Sequence, residues 1–316
     1  MQSMMVVKVI SFLCLFYAMT QDVTAQKQQT TLANVFERMM KQVRQNESVT
    51  FNTKDFLSED PLVVLSLLIR YENDSSSTVR HFAYTLSWQV AMFHPNSEVL
   101  QLVTAQLIKA LSDPEPLVWQ HAGKHLLSFH AIDFTEESKE TIHRFFADKD
   151  FRREIVLVAG VANMQQELRI LETLLIDEPA YELTPHAGRW YGTVGWAARL
   201  ARARMGIMED ITRCIELVQH EPDPIIRVTI LLGDLGYIRQ PAAIKAIWAY
   251  LKSDENLPRV KESIPGMPHS QHATDVLAEC LSNFSVQKKY VGGYSQAEID
   301  LCRKWMSAQK EWRIIR

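Results

Sequence analysis

Glycine and proline are scarce, 11 and 12 in 316 residues, fewer than the tight turns of a β-sandwich this long would require. An excess of either charge is also missing. Lys and Arg number 34 against 37 Asp and Glu, for a net charge of −3. That balance excludes the basic footprint of a nucleic-acid binder and an acidic solvating tail. Cysteine occurs four times, in no metal-ligand spacing. No Gly-x-Ser-x-Gly elbow, phosphate loop or His-Glu-x-x-His motif is present, so hydrolase, nucleotide and zincin chemistry have no local support. Beyond the amino terminus every apolar stretch is interrupted by charge before it reaches membrane-spanning length, so no transmembrane segment is expected.

What is present begins at the amino terminus. Lys8 precedes an apolar run from Val9 to Met19, followed by polar Thr20, Gln21 and Asp22. Val23-Thr24-Ala25 then places small or modest residues at the −3 and −1 positions of a signal-peptidase site before Gln26. The expectation is a signal peptide over residues 1–25 and an exported protein, periplasmic or extracellular. Cys14 follows Leu13 rather than a small residue, which argues against a lipid anchor. The remaining Cys214, Cys280 and Cys302 are odd in number, and pairing Cys280 with Cys302 would strand Cys214. Three buried thiols are the simpler expectation. Asn46, Asn73 and Asn283 each open an Asn-x-Ser tripeptide, a pattern common by chance.

Helical periodicity runs through nearly all of the rest. Leu100, Val103, Leu107 and Leu111 form one apolar stripe, and Leu168, Leu171 and Leu175 another. Asp60-Pro61 and Asp223-Pro224 each offer an N-cap followed by proline at the first helical position. Ser295 and Glu298 have capping-box spacing, and Gly206 marks a helix end. Polar turns then introduce a recurring opening: Val79-Arg80-His81-Phe82-Ala83, Val118-Trp119-Gln120-His121-Ala122, Phe151-Arg152-Arg153-Glu154-Ile155 and Ile226-Arg227-Val228-Thr229-Ile230. Degenerate copies start near Trp190 and Ala273, so the units run from about 33 to 47 residues, with a second amphipathic helix in each.

The apolar-Arg-x-x-Ala opening after an Asp/Pro turn resembles HEAT repeats, most closely at Val79-Arg80 with Ala83 and Leu86. Ile155 and Ile230 stand where Ala is usual, and Trp119 replaces the Arg. The resemblance implies an all-α fold, an α-solenoid of stacked antiparallel helix pairs. The layout is residues 26–59 as an amino-terminal capping helix and linker, 60–294 as the repeat array, and 295–316 as a carboxy-terminal capping helix. Ser253–Ser270 interrupts the rhythm and reads as a surface loop, with His269 and His272 solvated or capping at its end. Gly188, Gly192 and Gly195 read as points of close helix approach.

In HEAT arrays the second helices line a concave surface. The resemblance thus implies a column of His81, His121, His125, Glu154 and Thr229 beside the apolar stripes, suited to a protein or peptide partner. His121 and His125, four apart, could also share a metal with His81 or Glu154; the alternative is two solvent-facing rings beside the core positions Val118 and Ala122. Arg189, Arg199, Arg202 and Arg204 form a basic cluster, either an anion or acidic-peptide site or a solvated helix face. The seven tryptophans either fill the core and seams or offer a sugar platform. HEAT-like hydroxylases carry repeated His-Glu pairs, and only His220-Glu221 occurs here; HEAT-like DNA glycosylases fit neither the charge nor export, and phycobilin lyases do not fit export. The reading is therefore a monomeric exported scaffold that binds protein or peptide without a cofactor. A metal-dependent protein using His121 and His125, or an envelope glycan binder, is the alternative.

Overall fold

A computed structural model describes residues 32–47, 49, 56–175, 190–258, 268–288, 293–309 and 311–315. Those residues are all-helical and contain no strand, only isolated bridges from Asn256 to Pro268 and from Leu281 to Ile314. The signal-peptide reading, Arg189 and Gly188 lie outside the described residues. No described helix is long and apolar enough to cross a membrane. The chain divides into two units between His125 and Leu126.

In the first unit, α1 (residues 32–44) buries Phe36, Met39, Met40 and Val43, a single stripe at helical spacing. Helix α2 (Pro61–Leu68) starts where Asp60 accepts from the backbone N–H of Leu62, with Pro61 in the first turn. Then come α3 (Ser77–Phe93), α4 (Ser97–Ala110) and α5 (Pro116–Leu126). Asn96 caps α4 by accepting from Val99 N–H at 3.0 Å. Val79, Ala83, Leu86 and Val90 of α3, Val103 and Leu107 of α4, and Val118 and Ala122 of α5 are all buried. Arg80 clasps Asp113 in the turn before α5 with two bonds of 2.7 and 2.8 Å, and donates to the Asp74 carbonyl. One guanidinium thus ties the start of α3 to the turn that leads into α5.

The second unit holds α6 (Glu136–Ala147), α7 (Arg153–Val161), α8 (Leu168–Leu174), α9 (Val194–Arg204) and α10 (Met208–His220). Helix α11 combines Pro224–Ile226, a π turn over Arg227–Leu231 and Leu232–Ile238, and α12 (Pro241–Leu251), α13 (His269–Cys280) and α14 (Gln296–Ala308) follow. Asp223 caps α11 from Oδ1, and Ser295 with Glu298 closes a reciprocal capping box on α14. Helices α6, α7 and α9 end alike: Asp150, Met164 and Ile207 donate back to Phe145, Ala159 and Arg202. Their left-handed residues are Lys149, Asn163 and Gly206, the last at φ +98°.

Helix α7 is buried along Ile155–Val161, and Gly160 explains how closely its neighbours approach. A Cβ there would stand 2.2 Å from the Tyr237 hydroxyl and 2.8 Å from the Ala201 Cα. Gly236 plays the same part toward Val276 of α13, at 2.4 Å. Of the glycines expected to mark close approach, Gly192 is exposed on a 3-10 turn and Gly195 is buried in α9.

Two sequence readings need correction. Ile230, aligned with the core alanines, is 39% exposed, because the π turn over Arg227–Leu231 adds a residue and rotates the following side chains. His269, expected to be solvated or capping, is 2% exposed in the first turn of α13 beside Glu255, and the N-cap there is Pro268 with no side-chain cap bond. Cys214, Cys280 and Cys302 are buried free thiols.

Candidate binding face

In the first unit the side chains of α3 and α5 meet in ascending order along both helices. His81 meets His121 with ring centroids 4.3 Å apart, edge to face, the packing that ring quadrupoles favour. One to two turns further on, Trp88 stacks on His125 at 4.5 Å with 17° between planes. Thr85 lies between, its Oγ1 3.4 Å from His125 Nε2 and donating to the His81 carbonyl at 3.0 Å. Helices α3 and α5 are therefore parallel neighbours, and residues about 40 positions apart share one face.

The three histidines and Trp88 are half-buried. Burial depresses the His81 imidazole and pushes His125 down to about 4, with the other rings of the cluster adding to the effect. At neutral pH both rings are uncharged, each with one donor nitrogen and one acceptor. The face is thus aromatic and hydrogen-bonding rather than cationic. Among the described residues no group of three or more His, Cys, Asp or Glu side chains is disposed to hold a metal ion. His121 and His125 are not simply solvent-facing: edge contact and stacking occupy one side of each ring.

The remaining candidates belong to the second unit. Glu154 is half-buried in the first turn of α7. Thr229 is exposed within the π turn, its hydroxyl donating to the Ile225 carbonyl at 2.7 Å. Arg199 and Arg202 converge on one carboxylate, donating to Asp210 Oδ1 at 2.8 Å and Oδ2 at 2.7 Å. Asp210 is 1% exposed and Arg202 9%, so the two guanidiniums neutralise a buried acid across the α9–α10 turn. The cavity of about 460 Å³ beside Arg199 mixes Arg213 with Glu209 and Glu216, and offers no surplus of either charge.

The sequence reading did not single out Asp234. Trp196, fully buried, donates its indole N–H to Asp234 Oδ2 at 2.8 Å, and Arg153 lies 3.9 Å from the other oxygen. Burial pushes this carboxyl up to about 6 despite both partners. The available signal was a carboxylate inside the apolar run Leu231-Leu232-Gly233-Asp234-Leu235. His143 was also passed over: its Nδ1 sits 2.6 Å from buried Glu167, whose hydrogen bond raises the imidazole above its ordinary value.

Compared with known proteins, the chain matches no protein-family model and no curated protein.

Proposed function

We propose that this chain is an exported HEAT-like α-solenoid that binds a protein or peptide segment, without a cofactor, along the face formed by its second helices. The observation that carries the reading is the pairing of His81 with His121 and of Thr85 with His125, at the period of the sequence repeat. A repeat protein offers such a row because each unit presents the same face beside its neighbour. Half-buried aromatic and imidazole groups give contact area at small entropy cost, and their ring nitrogens give direction to hydrogen bonds. The clasp from Arg80 to Asp113 supports the same reading, since it joins consecutive helix pairs.

Capture from the native envelope or secreted fraction tests it, comparing wild type with the double variant His121→Ala and His125→Ala. The expected result is loss of one saturable partner with the helical circular dichroism retained. Equal capture by both proteins would move the binding face elsewhere, and a midpoint lowered by chelator would instead favour a metal site. Amino-terminal sequencing of native material should find a start at or near Gln26, whereas material still beginning at Met1 and retained in the cytoplasm would refute export.

A further inference from the structure

We propose that the second unit carries a binding site for a small organic oxyanion, a carboxylate or phosphate held between Arg204 and Arg239. Three helix ends build the site: Gly160 and Val161 close α7, Arg204 and Met205 close α9, and Arg239 follows α11 in a left-handed conformation at φ 53°. Together with Ala131, Asn163, Gln165 and Gln240 they enclose a cavity of about 290 Å³. That is near the lower end of small-molecule sites and more than one inorganic ion fills.

The charges in this cavity are unbalanced. Arg204 donates to the Tyr237 carbonyl and lies over the Tyr237 ring at 4.9 Å, while Arg239 donates to the Ile315 carbonyl at 3.5 Å. Neither guanidinium has a carboxylate partner among the described residues. Asp133, on the same 3-10 turn as Ala131, instead accepts from the His130 backbone N–H at 2.8 Å. Arg239 Nε is buried and donates to nothing among the described residues; the same holds for Arg153 Nε and Arg227 Nε, but of these three only Arg239 lines this cavity. Burial lowers the Arg204 guanidinium below its ordinary value, and Arg239 adds like-charge repulsion. Elsewhere in this unit the comparable pair, Arg199 and Arg202, shares Asp210. An anion between Arg204 and Arg239 would supply what Asp210 supplies there.

Helix carboxy termini carry partial negative charge, which opposes an anion. Here three carbonyls at the ends of α9 and α11 already accept: Gln165 donates to that of Met205 at 3.3 Å, Gln240 to that of Arg204 at 2.9 Å, and Arg204 to that of Tyr237. Two full positive charges then face the cavity against screened fractional ones. Ala131, Val161 and Met205 add apolar wall, which suits an anion carried on a short carbon body. The site is independent of the solenoid reading.

Calorimetric titration of the full chain with butyrate, inorganic phosphate and uncharged butyramide tests the proposal. Saturable binding of an anion is expected, none of butyramide, and weakening of about tenfold or more in Arg239→Gln. Arg213→Gln, on the charge-balanced cavity, should bind like wild type. The tighter of butyrate and phosphate identifies the oxyanion. If Arg239→Gln loses its helical signal, Arg204→Lys takes its place with the same expectation, because an ammonium keeps the charge but not the fork. No saturable binding of either anion overturns the proposal. So does undiminished binding by the folded variant, or equal weakening in Arg213→Gln.

Discussion

Asp234→Asn isolates one charge in the second unit while keeping its neighbours. Asp234 is 15% exposed and accepts the Trp196 indole N–H, with Arg153 too far away for a full ion pair. Burial pushes its carboxyl up to about 6, against about 4 for an aspartate in an unfolded chain. The native state therefore holds its proton more tightly than the unfolded one. Between about pH 4 and 6 the native carboxyl is protonated while the unfolded one ionises, so stability falls as pH rises through that window. The separation is roughly two pH units at about 1.4 kcal/mol each, so ionised Asp234 costs the fold about 3 kcal/mol at neutral pH. Asparagine still accepts from Trp196 and never ionises. Asp234→Asn should thus be more stable than wild type near pH 7.5, by up to about 3 kcal/mol, and equal to it near pH 4. Urea denaturation at both pH values, followed by circular dichroism, measures the difference. Parallel stability curves for the two proteins would refute the reasoning, as would a wild type that gains on the variant as pH rises.

Gly160→Ala should destabilise the second unit by about 1 to 3 kcal/mol or more, because the new Cβ meets the Tyr237 hydroxyl and backbone of α9; an unchanged melting midpoint would contradict that packing. Ala122→Leu should overpack the first unit by a similar amount, about 1 to 3 kcal/mol. His125→Ala loses its stacking on Trp88, about 0.5 to 1.5 kcal/mol beyond lost area, together with its contact to Thr85, and should still cost less than Ala122→Leu; the reverse order in denaturation would show that α5 is mis-phased. In an NMR titration His125 should stay neutral until about pH 4, and His143 should protonate above the ordinary imidazole range. For His125 the sign is that stability falls as pH drops from about 6.5 toward 4, since the unfolded ring gains its proton first.

Helix boundaries were legible wherever short-range chemistry sets them. Asp60, Asp223 and the pair Ser295 and Glu298 cap the helices they precede, because a cap needs only a side chain two or three residues from its N–H. Gly206 closes α9 for an equally local reason, its left-handed φ. The apolar-x-x-x-small pattern reported burial at Val79 and Ala83, and again at Val118 and Ala122. It misreported Ile230, because a π turn inside α11 leaves no mark in hydrophobic spacing. Glycines were less legible: Gly192 near Trp190 is exposed, while Gly160 and Gly236 meet close partners on other helices that no local pattern announces.

Site chemistry was legible only as far as one helix reaches. Spacing of four put His121 and His125 on one side of α5, and their similar repeat positions brought in His81. Nothing local could show that Trp88 stacks on His125, because that requires two helices in fixed register. The same limit governs the arginines. In sequence Arg199, Arg202 and Arg204 read as one basic cluster; helical spacing puts Arg199 and Arg202 on one face of α9 and Arg204 on another. Arg199 and Arg202 turn toward Asp210 across a turn, and Arg204 turns toward Tyr237 and Arg239 at the end of α11. A cluster of like charge in sequence thus becomes one pair that shares Asp210, with Glu172 3.8 Å from Arg202, and one pocket with no acid among its described lining residues. What separates them is whether the neighbouring helix supplies an acid, as α10 does and the end of α11 does not. Changing Asp210 to Asn should therefore remove the one full carboxylate that Arg199 and Arg202 share and raise anion affinity at the cavity of about 460 Å³ that Arg199 lines, while leaving titration at Arg239 unaltered. If phosphate binds that variant no better than wild type, the logic of counting acids against arginines fails at both places.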